Sequence, residues 1–386
     1  MTASRDDHLF GPGPKRILAL DGGGTRGIIE LAFLARIEAL LRAAHDDDPD
    51  FRLADWFDLI GGTSTGEIIA AGLAMGKPVE ELTRIYLYLS PLAFRRRRWR
   101  LTGLVPRFDA APLTPVQQTH FGERTLDTPD LRTGFTVVAR RFDTGSPWLI
   151  SNDARAPYLA DPADAGFFGN RHYRLVDVVR ASSAAPGLFR PQWIQVVPGR
   201  PAGLFVDRGF SPHNNPSLML LMLTQARAFK LQWELAPDRL LLISIGAGHH
   251  RPGLAEGASP PNIPGGLAWR ALMDALSDTQ TQTLALLQWF SEPALSWPIN
   301  TEVGDLSGEC LGGSPLLGFQ RYDMKLEAAW LQEQLGLRLA PLALTRLRRV
   351  DDPGCMMELH AMATRVAEQQ VRLEHLTGGT SHARPT

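Results

Sequence analysis

The segment "LALDGGGTRGI", residues 18–28, places three consecutive glycines between two apolar stretches. Residues 16–20 form a short apolar run that suits a buried strand, and the stretch from Gly27 onward has apolar residues at helical spacing. A strand, a glycine turn and a helix therefore follow one another. Backbone N–H groups exposed in such a turn bind negative charge, which is either the phosphate of a cofactor or an oxyanion that exists only during a reaction.

The chain up to about residue 250 alternates short apolar strands with helices. Strands are predicted near 56–62, 135–142, 203–207 and 239–248, and helices near 27–44, 67–76, 176–184 and 217–229. This alternation predicts an α/β fold with a mostly parallel central sheet.

A Gly/Pro-rich segment, residues 252–266, interrupts the alternation and predicts a boundary. We expect a catalytic domain over 13–250, a mainly helical C-terminal extension over 251–386 that packs on the core, and a loose tail after about residue 377. An apolar stripe near the end of the chain predicts a core-packing helix; its members are Met356, Leu359, Met362, Val366, Val371, Leu373 and Leu376.

The overall composition excludes several classes of protein. The 386 residues are 44% hydrophobic, which is enough to bury a large core. The chain has 40 basic and 41 acidic side chains, and this near-zero net charge argues against nucleic acid as a partner. Two cysteines, Cys310 and Cys355, supply neither a disulfide framework nor a zinc site. The sequence shows no signal peptide and no apolar run of about 18–20 residues that could span a bilayer. We therefore expect a soluble, cytoplasmic protein that can still act on a membrane surface.

Two nucleotide-binding motifs are matched in part. Gly22, Gly24 and Gly27 satisfy G-x-G-x-x-G, but no acidic residue ends the next strand, where a dinucleotide fold needs one for the ribose. The segment "GGTSTGE", residues 61–67, has the glycine spacing of a P-loop, but Glu67 stands where that loop needs lysine. Both interpretations fail at the residue that would meet the ligand.

The same segment satisfies G-x-S-x-G between a predicted strand and a predicted helix. Ser64 is then a nucleophile on a sharp turn, and Gly62 and Gly66 avoid steric overlap across it. The N–H groups around Gly22, Gly23 and Gly24 would face the carbonyl oxygen that Ser64 attacks. We therefore predict that the glycine loop is an oxyanion hole.

A serine nucleophile needs a base, and the sequence offers two arrangements. One is a triad of Ser64, Asp207 and either His249 or His250; the other is a dyad in which Asp207 takes the proton directly. Asp21 opens the glycine loop, and we expect its side chain to hold that turn through hydrogen bonds rather than to act as a catalytic acid.

Four segments in order, "DGGGTRG", "GTSTG", "ASSAAPGLF" (181–189) and "FVDRGFSPHNNP" (205–216), resemble the patatin-like phospholipases. The resemblance implies a three-layer α/β/α fold and hydrolysis of acyl esters of phospholipids or related lipids without a metal or cofactor. It implies a Ser64–Asp207 dyad, with Arg26 at the basic position of the oxyanion loop. His249 and His250 match no position of the family. Arg208 departs from the family, which usually has glycine after the aspartate; it would strain the backbone at a positive φ, lower the pKa of the aspartate, or turn outward.

The basic run that begins at Arg95 and ends at Arg100 suggests a peripheral contact with anionic lipid headgroups. Alternatives to a constitutive lipid hydrolase are a triad carboxylesterase, a phospholipase effector activated by a nucleotide, and a non-catalytic binding protein on the same fold. The sequence leaves the oligomeric state open.

Overall fold

The computed structural model describes residues 3–95, 106–109, 114–164, 166–209, 211–251 and 264–377. Most of the basic run, residues 96–100, lies outside the described residues, as do 252–263 of the predicted boundary loop and the tail after residue 377. The predictions for these segments are therefore not addressed by the structure.

One mixed sheet forms the centre of the molecule, and within the described residues it has eight strands. In chain order they are β1 (Lys15–Leu20), β2 (Leu59–Gly62), β3 (Gly134–Arg141), β4 (Ser146–Ser151), β5 (Gln192–Ile194), β6 (Gly203–Val206), β7 (Leu240–Ile245) and β8 (Gly318–Tyr322). The spatial order is β5-β6-β3-β2-β1-β7-β8, and β4 pairs with β3. The pairs β1–β2, β1–β7, β2–β3 and β7–β8 are parallel, whereas β3–β4, β3–β6 and β5–β6 are antiparallel. The predicted α/β class with a mostly parallel sheet is confirmed.

Helices surround this sheet. The α-helices of the described chain are α1 (Arg5–Phe10), α2 (Ile28–Ala43), α3 (Thr65–Ala74), α4 (Val79–Ala93), α5 (Thr114–Phe121), α6 (Leu175–Ser183), α7 (Ser217–Gln225), α8 (Pro264–Trp289), α9 (Ala328–Leu335), α10 (Pro341–Leu347), α11 (Met356–Gln370) and α12 (Leu373–Leu376). None of them is long and apolar enough to cross a membrane.

The sheet buries both of its faces, as the alternation of side chains along β1 shows. Leu18 and Leu20 belong to a core that includes residues of α2, α3, α4, α6 and α11, while Ile17 and Ala19 belong to a second core with residues of α1, α7 and α8. Two helical layers therefore enclose the sheet, which is the three-layer α/β/α architecture.

The C-terminal region completes the core. Its strand β8 pairs in parallel with β7, and its helix α11 packs against α2. The predicted apolar stripe is buried along α11 and α12, apart from Leu373, which is partly buried. The region after residue 251 thus contributes a strand to the sheet as well as helices, and the domain boundary at 250 stays a prediction.

Candidate active site

The candidate site lies at the carboxyl edge of three parallel strands. Leu20 at the end of β1 pairs with Gly62 of β2 on one side and with Ile245 of β7 on the other. The Thr63 N–H donates to the Leu20 carbonyl at 3.1 Å. The glycine loop after β1 and the serine turn after β2 are therefore neighbours, as parallel strands require.

Ser64 occupies the sharp turn between β2 and α3. Its backbone angles are φ 57° and ψ −121°, a conformation that non-glycine residues rarely adopt. The Ser64 N–H donates to the Ser182 hydroxyl at 3.0 Å, and that hydroxyl donates to the Val138 carbonyl at 2.8 Å. Ser182, within the segment 181–189, thus ties the turn to β3, which motif spacing alone does not indicate.

The two glycines of the turn are required by close backbone approach. A Cβ on Gly62 would overlap the carbonyl carbon of Gly66. A Cβ on Gly66 would overlap the carbonyl oxygen of Asp21, on the neighbouring loop. Because these contacts are with backbone atoms, no side chain can move to relieve them.

Asp207 follows β6 and meets Ser64. Its Oδ1 accepts a hydrogen bond from the Gly209 N–H at 2.6 Å, and the Ser64 side chain lies close enough to act on the carboxylate. Burial raises the pKa of Asp207 to about 6, although Ser64 and the backbone hydrogen bonds act to lower it. The fold therefore brings together two residues that are 143 positions apart in the sequence.

Arg208, the departure from the family pattern, is accommodated without backbone strain. It is not among the residues with positive φ, and its Nε donates to the Ser211 hydroxyl at 3.2 Å. Burial and the neighbouring Arg140 lower the pKa of Arg208 to about 10. Only the backbone amide of Arg208, and not its guanidinium, is among the groups that lower the pKa of Asp207.

The glycine loop lies directly against Ser64. A Cβ on Gly22 would come within 3.2 Å of the Ser64 Cβ and would overlap the Asn214 side-chain oxygen. Asn214 fixes this approach in two ways, because its carbonyl accepts from the Gly22 N–H at 3.0 Å and its Nδ2 donates to the Gly22 carbonyl at 3.1 Å.

The three loop amides differ in availability. The Gly22 N–H is already donated to Asn214, and the Gly23 N–H donates to the Thr65 hydroxyl at 3.2 Å. Gly24 has φ 57°, and its N–H has no acceptor among the described residues. The amide of Gly24 is thus the most available of the three to a bound oxyanion.

Comparisons with known proteins identify the family of this chain. The family described as patatin-like phospholipase matches residues 18–221, just over half of the chain. The chain belongs to this family. The matched range includes the glycine loop, Ser64 and Asp207.

Relatives within this family include two bacterial enzymes. A cGAMP-activated phospholipase of Escherichia coli (strain TW11681) is 31% identical over 60% of this chain and 61% of its own length. A cGAMP-activated phospholipase of Vibrio cholerae serotype O1 (strain ATCC 39315 / El Tor Inaba N16961) is 32% identical over 53% and 56%. The chain thus spans about three fifths of the length of these relatives. Among solved structures, VipD from Legionella pneumophila aligns over 91% of this chain and 67% of its own, at 13% identity and a TM-score of 0.36.

Arg26 is partly buried. Burial lowers the pKa of its guanidinium to about 10, against the opposite influence of Asp323 and Asp21, and its Nε and Nη1 are buried without a hydrogen-bond partner in the described structure. The Arg26 N–H donates to the Gly23 carbonyl at 3.1 Å. In this patatin-like site, the backbone hydrogen bond from Arg26 to Gly23 therefore helps to fix the conformation of the glycine loop.

A buried ion-pair network links Asp21 at the start of the loop to Arg321 and Asp323, which lie outside the matched range. Arg321 on β8 donates to both carboxylate oxygens of Asp21, at 2.9 and 2.6 Å, and to Asp323 at 2.8 Å. The side chain of Asp21 holds the turn through hydrogen bonds, as predicted, and their donor is Arg321. No motif indicated this arginine, which is 300 residues away in the sequence.

The candidate triad histidines make other contacts. His249 Nδ1 lies 3.1 Å from Asp323, and its ring packs edge-on against Trp297. Burial, together with the charges of Arg26 and Arg348, lowers the pKa of His250 to about 4. Among the described residues, no histidine contributes to the pKa shift of Asp207.

Proposed function

We propose that this chain is a serine lipid acyl hydrolase that cleaves acyl esters of phospholipids or related lipids through a Ser64–Asp207 dyad. Asp207 takes the proton of Ser64 as its Oγ attacks the ester carbonyl, and the Gly24 amide, the most available in the glycine loop, stabilises the oxyanion. Asp207 then returns the proton to the leaving alcohol, and water hydrolyses the acyl-enzyme. The observation that carries the proposal is that Ser64, at a strained turn, lies close enough to the buried Asp207 carboxylate to lower its pKa.

The environment of Asp207 supports its role as the base. A pKa of about 6 leaves the carboxylate ionised at neutral pH and makes it a stronger base than an exposed aspartate. Its hydrogen bonds from backbone amides fix its orientation, which is the function that a third residue performs in a triad.

Covalent labelling tests the proposal. A fluorophosphonate probe followed by intact-mass analysis should add one label to the wild-type chain and none to Ser64→Ala. Asp207→Asn should lose labelling and ester hydrolysis by about a hundredfold to ten-thousandfold, the range for removing a general base. Asp153→Asn is the matched control, because Asp153 is also buried with a raised pKa but its described partners are backbone amides and Arg5 and Arg155.

The same assay separates the dyad from a triad. Replacing His249 and His250 together by asparagine should leave hydrolysis of a soluble ester within about threefold of wild type, since neither ring acts on Asp207. Loss of activity comparable to that of Asp207→Asn would favour the triad carboxylesterase.

Activation by a nucleotide is a second candidate, favoured by the two relatives named cGAMP-activated phospholipase. On this proposal, hydrolysis of a short-chain ester is weak alone and rises at least tenfold when cGAMP is added. Equal rates with and without cGAMP would oppose activation by this nucleotide while leaving the hydrolase proposal intact.

We also propose that the basic run 95–100 attracts anionic headgroups to the enzyme. Reversing the charges of Arg96, Arg97 and Arg98 to glutamate should weaken binding to phosphatidylglycerol vesicles at low salt, while hydrolysis of a soluble ester stays unchanged. Unaltered vesicle binding would contradict this role.

A further inference from the structure

Arg208 lies next to the proposed base, and no carboxylate of the described residues compensates its charge. Only 6% of its surface is exposed, and its Nε donates to the Ser211 hydroxyl, a neutral acceptor, at 3.2 Å. We infer that Arg208, together with Arg140, binds the phosphate group of a phospholipid headgroup, an inference that rests on the proposed hydrolase function. It goes beyond that function because it assigns residues that select the headgroup end of the substrate.

The surroundings of Arg208 differ from those of a buried arginine with a structural role. Arg321 pairs with Asp21 at 2.6 Å and with Asp323 at 2.8 Å, as buried charges usually do. The charge that acts on Arg208 is instead a second cation, because burial and Arg140 lower its pKa to about 10. Arg208 therefore stays protonated at neutral pH. Two like charges with little access to water favour an anion, because the anion compensates both.

The sheet places Arg140 beside Arg208. Arg140 of β3 pairs with Val206 of β6, and Arg208 follows Val206 by two residues. The Nε of Arg140 is buried without a hydrogen-bond partner in the described part of the chain. The adjacent Arg141, by contrast, pairs with Asp143 at 3.0 Å. Two guanidinium groups from neighbouring strands thus keep donors that the described residues do not use.

The loop that carries this arginine, residues 207–214, is held against the nucleophile turn at more than one point. At its start, Asp207 lies close enough to Ser64 for the serine to act on its carboxylate. Further along, the carbonyl of His213 accepts from the Thr63 hydroxyl at 2.6 Å. A group bound to this loop therefore lies beside the reacting ester.

The guanidinium of Arg208 does not interfere with the base. The groups that lower the pKa of Asp207 include the backbone amide of Arg208 and not its guanidinium. In a glycerophospholipid the phosphate is attached to the glycerol carbon next to one that bears an ester, so it lies only a few bonds from the cleaved bond. A planar guanidinium offers parallel N–H donors that match two phosphate oxygens. Binding of the phosphate to Arg208 therefore positions the ester and leaves Asp207 free to accept a proton.

Variants at Arg208 test the inference through a ratio of rates. The two substrates are dihexanoyl phosphatidylcholine and dihexanoylglycerol, which carry the same acyl esters with and without a phosphate, in the same uncharged detergent micelles. The ratio of kcat/KM for the first over the second should fall about tenfold or more in Arg208→Gln, the loss typical of a charge-assisted hydrogen bond. Arg140→Gln should also lower the ratio, and Arg208→Lys, which keeps the charge, should lower it less than Arg208→Gln.

Arg141→Gln is the matched control, because Arg141 is a half-buried arginine of the same strand as Arg140 and already pairs with Asp143. This variant should keep the wild-type ratio. An unchanged ratio in Arg208→Gln would overturn the inference and leave the hydrolase proposal intact. If wild-type protein hydrolyses neither substrate and takes no fluorophosphonate label, the hydrolase proposal fails, and a binding measurement decides the phosphate site.

This second measurement needs no hydrolysis. The Tm of Ser64→Ala protein is measured in inorganic phosphate and in chloride at equal ionic strength, and variants are compared because phosphate stabilises proteins in general. The rise in Tm should be smaller when Arg208→Gln is added and should be retained when Arg141→Gln is added. An equal rise in all three proteins would refute the site. A rise that depends on Arg208, together with an unchanged ratio of rates, would indicate a site for a free phosphate compound and overturn the assignment to the headgroup.

Discussion

Ser64 holds a backbone conformation that costs stability, which provides a test independent of activity. At φ 57° and ψ −121° a residue with a Cβ is strained by about 1–3 kcal/mol, whereas glycine adopts this region freely. Both Ser64→Ala and Ser64→Gly lose the hydroxyl that acts on Asp207, so the comparison between them isolates the strain. Urea denaturation should show that Ser64→Gly is more stable than Ser64→Ala by about 1 kcal/mol. Equal stability would mean that the turn is not strained in solution.

The raised pKa of Asp207 predicts an acid limb in the pH profile. Only the ionised carboxylate accepts the serine proton, so kcat/KM for a soluble ester should rise with pH through about 6 and level off above it. A limb that is centred on 7 and disappears when His249 and His250 are replaced would instead indicate a histidine base.

The raised pKa of Asp207 affects stability in the opposite direction: activity rises with pH, whereas the contribution of this group to stability falls. The pKa of Asp207 in the folded state lies above its usual value of 3.8, so its contribution to stability is present below about 3.8 and is lost as pH rises through about 6. Asp207→Asn should therefore remain at least as stable as wild type at pH 8, as measured by its urea midpoint. Inactivity of this variant then reflects chemistry and not unfolding.

Arg321 joins two elements, the loop after β1 and the edge strand β8, through buried charges. Replacing it by methionine would leave Asp21 and Asp323 buried without their cation, which typically costs about 3–5 kcal/mol. The pKa of Asp323 is well below its usual range because of Arg321 and His249, so wild-type protein loses this stabilisation as pH falls through that range. In Arg321→Met the two carboxylates favour protonation, so the variant recovers stability in acid.

Guanidinium denaturation at pH 8 and pH 5 measures this effect. The stability gap between wild type and Arg321→Met should be larger at pH 8. Adding Asp21→Asn and Asp323→Asn to the variant should narrow the gap at pH 8, because no uncompensated buried charge remains. If the difference in unfolding free energy between wild type and Arg321→Met does not change with pH, the destabilisation comes from lost packing alone.

Element by element, the sequence predicted those parts whose signals are local. Strands β1, β2 and β7 end in glycine-containing turns, and α2 and α3 begin there, so pattern and turn residues agree. Strand β8, "GFQRY", was missed because its Gln320 and Arg321 look solvated, whereas the fold buries both. Their burial depends on partners far along the chain, which a local pattern does not show.

The same distinction applies to the site. Ser64 and its flanking glycines form a compact motif, so turn chemistry alone indicates a nucleophile. Asp207 was named in both the triad and the dyad from the order of residues along the chain, and the family resemblance then favoured the dyad. Two further residues act through long-range hydrogen bonds that no spacing rule predicts. Asn214 accepts the Gly22 N–H, and Ser182 accepts the Ser64 N–H.

At the scale of the whole molecule, the C-terminal region holds the candidate oxyanion loop in place through hydrogen bonds. The Thr25 N–H donates to the Val350 carbonyl at 2.8 Å, and a Cβ on Gly24 would overlap that carbonyl oxygen. Arg321 holds Asp21 at the start of the same loop. Residues outside the family match therefore set the geometry of a loop at the centre of the match.

This arrangement predicts that residues 13–250 do not fold alone. Without the rest of the chain, β7 loses its neighbour β8, and α2 loses the cover of α11, whose Leu359 and Val366 are fully buried. Each such side chain contributes roughly 1.5–3 kcal/mol, and the several buried on α11 together approach the typical 5–15 kcal/mol stability of a whole protein. We expect the 13–250 fragment to show no cooperative unfolding transition by circular dichroism and no fluorophosphonate labelling at Ser64. A chain ending at Thr377 is the control and should keep both properties, because it retains every contact named here. A 13–250 fragment that unfolds cooperatively and is labelled at Ser64 would instead make the C-terminal region a separable domain.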